Sequence, residues 1–210
     1  MVHVMTLAGI FSISYAQSSN YNPTLNAKEK QSIEAGEVIM RELETKHDKG
    51  QTIETIGMMN VPGEFLVRVL TDYEAYPRFM SAIDNVEIVG QERFTATLNY
   101  ILKPMLGLNK KYRIKIAPAK LDEQVWIIEW HLVPWPELKS METITDTKGY
   151  WLIIEQNDNR CIVQYYVYSD PSPVPFGLGG IVNKLGRDSI KNVFNETRTH
   201  VEKTVTPSDP

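Results

Sequence analysis

Lys111-Tyr112-Arg113-Ile114-Lys115-Ile116 and, further on, Trp126-Ile127-Ile128-Glu129-Trp130-His131-Leu132 carry the reading of the fold. In the first stretch Tyr112, Ile114 and Ile116 alternate with Lys111, Arg113 and Lys115. In the second, Trp126, Ile128, Trp130 and Leu132 alternate with Ile127, Glu129 and His131. A period of two sends successive side chains to opposite faces of a strand. One apolar face and one polar face predict an antiparallel sheet covered on one side.

Working outward, the same period predicts strands over Val86–Val89, Arg93–Leu102, Lys110–Ala117, Gln124–Val133, Met141–Glu155 and Arg160–Ser169. Their connections are too short to hold crossover helices, so successive strands pair as a meander. Upstream, Lys28–Glu34 reads as a short helix that stops at Gly36. Glu37–Glu44 and Gln51–Val61 read as strands about a turn at His47-Asp48-Lys49-Gly50. Pro62 then opens a helix carrying Phe65, Leu66, Val69 and Leu70, and a second short helix runs from Asp72, a capping residue, to Met80. Downstream, a hinge over Asp170–Phe176 and the glycines Gly177, Gly179 and Gly180 lead into a helix over Ile181–Thr204. Val182, Ile190, Val193, Phe194, Thr197 and Val201 form its apolar stripe, with Gly186 and Ser189 leaving room along it. The fold class is therefore α+β: a curved antiparallel sheet wrapped around a long C-terminal helix, with two short helices after the strand at Gln51–Val61.

At 210 residues the chain is one domain's length, and a domain of that size buries roughly 70% of its unfolded surface without staples. A net charge of -4 and no basic run exclude a nucleic-acid binder. The lone cysteine, Cys161, cannot close a disulfide within the chain. His3, His47, His131 and His200 lack ligand spacing, so neither a metal nor a cofactor is expected. Val4–Ala16 is apolar, too short to span a bilayer, and ends in small residues before a polar stretch. This predicts a signal peptide over residues 1–16, cleavage before Gln17, and an exported product, periplasmic or extracellular. Residues 17–50 form an extension with a short helix and strand, 51–205 the main domain, and 206–210 a tail.

Asn60-Val61-Pro62-Gly63-Glu64-Phe65 and Val69-Leu70-Thr71-Asp72-Tyr73-Glu74-Ala75-Tyr76-Pro77-Arg78-Phe79-Met80 carry a family resemblance. Lys148-Gly149-Tyr150-Trp151-Leu152-Ile153, the strand near Tyr165-Tyr166 and the Pro-Gly hinge extend it. The sequence resembles the START-like, or helix-grip, superfamily, in particular its bacterial polyketide cyclase/dehydrase and lipid-transport members, with coenzyme Q-binding relatives. The resemblance covers roughly Gly50 to Lys203, the Asp72–Met80 block being its most specific part. It implies a cavity for a lipid, sterol, isoprenoid or polyketide between sheet and helix. It implies no activity, because this fold hosts carriers, sensors and enzymes alike.

Strand phase places Tyr100, Tyr112, Ile114, Trp126, Ile128 and Trp130 on the face toward the helix, opposite Ile190. They are the candidate ligand-binding residues, and Tyr165 or Tyr166, depending on register, projects the same way. Tyr hydroxyls and Trp N–H groups need partners when buried, and a cavity supplies them better than a dry core. His131 and Glu129 share the polar face and read as solvated surface. Without convergent acid/base groups on the apolar faces, binding is favoured over a cyclase or dehydratase acting on the same class of substrate. Strand parity puts the turns at Gly90–Glu92, Pro118–Glu123 and Gln156–Asn159 at one end of the sheet. The turns at Lys103–Asn109 and Pro134–Ser140 and the hinge Pro171–Leu178 fall at the other. Met105, Leu106, Leu108, Trp135, Phe176 and Leu178 there predict a hydrophobic mouth that passes the ligand and touches a membrane transiently.

Overall fold

The computed structural model describes residues 21–45, 50–157 and 159–205. The expected signal peptide and its cleavage point, most of the turn at His47–Gly50, and the tail lie outside these residues. The chain forms one eight-stranded sheet in the order β1-β2-β8-β7-β6-β5-β4-β3. Its strands are β1 (Ile39–Leu43), β2 (Gln51–Met59), β3 (Ile83–Glu92), β4 (Thr95–Leu102), β5 (Lys111–Asp122), β6 (Val125–Val133), β7 (Asp146–Asn157) and β8 (Arg160–Asp170). Every neighbouring pair is antiparallel. The meander runs from β3 to β8, and β2 closes onto β8 with β1 outside it.

Three α-helices complete the fold: α1 (Ala27–Glu34), α2 (Gly63–Thr71) and α3 (Gly179–Val205). A short 3-10 helix over Tyr73–Arg78 follows α2, and Pro77 within it prevents a regular α-helix. Asp72 makes no side-chain cap bond; it sits between the two helices, and its backbone N–H bonds the carbonyls of Arg68 and Val69. β1, which the sequence assigns to an extension, joins the same sheet, and Ile33 of α1 packs against Ile56 and Met58 of β2. β1 pairs with β2, and Arg41 on it bridges Glu29 of α1 (2.7 Å) and Glu54 of β2 (2.9 Å). β5 runs through Pro118 instead of turning there. β4 pairs β5 only as far as Ile116, so the missing N–H of Pro118 lies beyond that partner.

The face expected to be wet is only partly so. Val125, Ile127, Leu152 and Ile154 bury together there with Leu121 and Tyr150, while His131 is exposed. The main core lies on the opposite face, between sheet, α2 and α3. Phe194, Thr197 and Val201, on the C-terminal half of α3, are wholly buried. Gly57 on β2 admits the Phe194 ring, since a Cβ at residue 57 would lie 3.0 Å from it. Two carboxylates fasten the same half of the helix to loops. Glu202 accepts from the Asn60 backbone N–H (2.9 Å), and Glu196 from that of Ser81 (2.9 Å). Removing the buried Phe194 ring leaves a cavity, so Phe194→Ala costs about 3–5 kcal/mol. Urea denaturation, read by circular dichroism, should show that loss; a change below about 1 kcal/mol contradicts this anchoring.

Candidate functional site

The N-terminal half of α3 stands away from the sheet and encloses a cavity of about 410 Å³. Its sheet wall is built from inward positions of neighbouring strands. Tyr100 on β4 lies opposite Tyr112 on β5, their rings stacked with centroids 5.2 Å apart and planes 7° apart. Ile114 and Ile116 continue β5, and Trp130 on β6 pairs with Ile116. Trp130 crosses Gly149 on β7, where a Cβ would strike its indole and the Tyr166 carbonyl. A glycine inside a strand marks this kind of close approach.

A row of rings separates the hollow from the packed half of the core. Phe194 meets Trp151 at 6.0 Å, Trp151 stacks on Tyr165 at 3.9 Å, and Tyr165 meets Trp130 at 5.8 Å. Trp151, Tyr165 and Trp130 border the cavity, and Phe194 lies in the packed core behind them. On the helix side Val182, Gly186, Ser189, Ile190 and Val193 face the space. A Cβ at Gly186 would meet nothing within 4 Å.

Of the residues that the sequence singles out, Tyr100, Tyr112, Ile114, Trp130 and Ile190 border the cavity together. Trp126 and Ile128 share their face but lie outside the lining. Trp126 packs against Gly63 at the start of α2, where an added Cβ would sit 2.5 Å from its ring. Of the alternatives Tyr165 and Tyr166, it is Tyr165 that borders the space; Trp151, Tyr76 and Lys110, which the sequence does not single out, border it too.

Polar groups are few. The Tyr76 hydroxyl donates to the Leu70 carbonyl. Among the described residues the hydroxyls of Tyr100, Tyr112 and Tyr165 meet no protein partner, and they are not sealed within packed atoms. Burial pushes all four phenols above the ordinary tyrosine range. The described lining holds no carboxylate, imidazole or guanidinium; its cations are Lys103 and Lys110. The site can enclose apolar matter and donate hydrogen bonds, and it presents no paired acid and base.

The cavity reaches the end of the sheet where strand parity brings segments together, and Lys103, Pro104, Met105, Leu108 and Pro171 border it there. Lys110, buried before β5, donates to the carbonyls of Thr143 (2.6 Å) and Pro173 (2.8 Å), tying the β6–β7 connection to the β8–α3 hinge. Burial lowers the pKa of its ammonium. Met105 and Leu108 border the cavity; Leu106, Trp135, Phe176 and Leu178 do not. Leu106 and Phe176 project outward, Leu178 is half-buried, and Trp135 is half-buried with the Arg113 guanidinium 5.0 Å from its ring centre.

No protein-family model and no curated protein matches the chain. Solved structures do. A STAR-related lipid transfer protein from Xanthomonas axonopodis superposes with TM-score 0.68 at 15% identity, over 78% of this chain and 93% of that one. The fold is the START-like helix-grip fold. Human STARD10 shares it with TM-score 0.68 and 18% identity, over 79% of this chain and 69% of its own. So does the Zhui aromatase/cyclase from a Streptomyces species, with TM-score 0.60 and 10% identity, over 81% and 98%. Helix-grip neighbours thus include both lipid-transfer proteins and an aromatase/cyclase.

The buried phenols have a consequence in alkali. A phenol whose pKa is raised by folding keeps its proton while the unfolded chain loses its own above about pH 10. Their contribution to stability is therefore complete below that pH and is lost as pH climbs toward the folded values. Ultraviolet phenolate titration of the folded protein should leave Tyr76, Tyr100, Tyr112 and Tyr165 protonated until alkaline unfolding releases them. Smooth ionisation of all tyrosines near pH 10 in folded protein contradicts the buried site.

Proposed function

We propose that this protein binds and carries an apolar small molecule, of the lipid, sterol, isoprenoid or polyketide class, between its sheet and the N-terminal half of α3. The observation that carries the proposal is the hollow itself, largely apolar-walled and bordered by the hydroxyls of Tyr100, Tyr112 and Tyr165, which meet no protein partner among the described residues. Its volume falls in the range of roughly 300–1,000 Å³ usual for ligand sites. Binding is favoured over a cyclase or dehydratase reaction because its described wall presents no carboxylate, imidazole or guanidinium.

Gly186 offers a test that spares the fold. Its position opens on free space, so Gly186→Phe places a ring in the cavity without a clash at Cβ. Uptake of a fluorescent fatty alcohol should fall at least about ten-fold while the melting temperature holds. Unchanged uptake contradicts the cavity as the binding site.

The open end supports transient contact with a membrane. Leu106 adopts φ 52° and Gly107 φ 78°, a tight turn closed by paired bonds between Met105 and Leu108. Asparagine or glycine is the usual residue in that left-handed position, so an exposed leucine serves no purpose in the turn. Met105, Met141, Phe176 and Ile181 are exposed near it, on the connections of the same end and the first turn of α3. Leu106→Ser with Phe176→Ser should slow transfer of a fluorescent lipid between vesicles several-fold, with binding in solution intact. Equal transfer rates would remove membrane contact from the proposal.

A further inference from the structure

Three phenols border the cavity with their hydrogen-bonding capacity unused. Tyr100 and Tyr165 are only 7% and 9% exposed, yet neither hydroxyl has a protein partner among the described residues. Tyr112 stacks on Tyr100 across β4 and β5, and Tyr165 stacks on Trp151. Packing therefore fixes the rings and leaves the hydroxyl as each ring's unsatisfied atom. Tyr76 shows the contrast: its hydroxyl is spent on the Leu70 carbonyl. A hydroxyl that a ligand covers without pairing is costly, so a cavity bordered by three such groups is poorly matched to a pure hydrocarbon.

The charge around them narrows what can fill the space. Lys110 gives its ammonium protons to two backbone carbonyls, and Lys103 is exposed on the rim. Both cations of the described lining lie on the connections at the rim, Lys110 being held there by the carbonyls of Thr143 and Pro173. A carboxylate or phosphate brought against the three phenols would lose its hydration without a counter-charge, whereas a neutral oxygen needs only a donor.

We infer that the cavity selects an uncharged ligand carrying a hydrogen-bond-accepting oxygen, of ketone, ester or alcohol type, and seats that oxygen against the hydroxyls of Tyr100, Tyr112 and Tyr165. This rests on the ligand-binding reading above and adds the chemistry of the ligand's inner end.

The test compares three probes of similar length, methyl undecyl ketone, dodecyl chloride and tridecanoate, by displacement of bound phenylnaphthylamine at neutral pH. The wild-type protein should prefer the ketone over both others by about ten-fold, the scale of one or two neutral hydrogen bonds. Tyr100→Phe, Tyr112→Phe and Tyr165→Phe, singly and combined, keep the rings and remove only the oxygens. In the triple variant the ketone's advantage over the chloride should shrink to about two-fold or less, with chloride affinity unchanged. Single variants with intact melting temperatures should show graded losses and keep the comparison valid if the triple variant unfolds. An equal ketone preference in wild type and variants overturns the inference, as does a wild type that prefers tridecanoate. If chloride binds as well as ketone throughout, ligand binding stands and the inference alone falls. If no probe displaces phenylnaphthylamine, both fall together.

Discussion

The contact of Phe194 with Trp151 and Gly57 organises the rest of the molecule. A strongly curved antiparallel sheet has a concave apolar face that it cannot bury on itself, so a rod of apolar residues must enter it. The C-terminal half of α3 does this with Phe194, Thr197 and Val201. Glu196 and Glu202 fix the rod's position from its flanks. Because the packed anchor lies in one half, the other half, tied to β1 by the Arg187–Glu42 ion pair at 2.9 Å, can span the sheet without filling it. The space beneath Gly186 and Ser189 is a consequence of where the anchor lies.

The row Phe194–Trp151–Tyr165–Trp130 marks the change from packed core to hollow. Rings are suited to this boundary, since each can bury one face against core and offer its edge or its polar atom to the space beyond. Gly149 belongs to the same device, giving Trp130 the room a side chain would take. The open end depends on a different interaction. Lys110 joins the connections on either side of it through two carbonyls, so the rim is held by hydrogen bonds while its exposed apolar side chains project outward.

Much of this was legible in the alternation of Tyr112–Ile116 and Trp126–Leu132. Period two fixes the face of every side chain, and parity fixes which turns share an end. What alternation does not encode is depth along the strand. Trp126 and Trp130 have the same phase, yet one packs on Gly63 and the other borders the cavity, because α2 covers only one end of the sheet. Trp151 is hidden, and Tyr165 cannot be told from Tyr166, for a related reason: their strands are apolar on both faces, so the inward residue is not marked by polar neighbours. Lys110 was invisible because a lysine ordinarily reaches solvent. Gly149 was the available signal, a glycine inside a strand opposite a tryptophan.

The central claim is that the hollow between sheet and α3 is an occupied ligand site. Native mass spectrometry of the protein purified from its own host tests it most directly. The account predicts a stoichiometric non-covalent adduct that denaturation releases and organic solvent extracts as an apolar, uncharged, oxygen-bearing molecule. A bare polypeptide mass with a blank organic extract would contradict it.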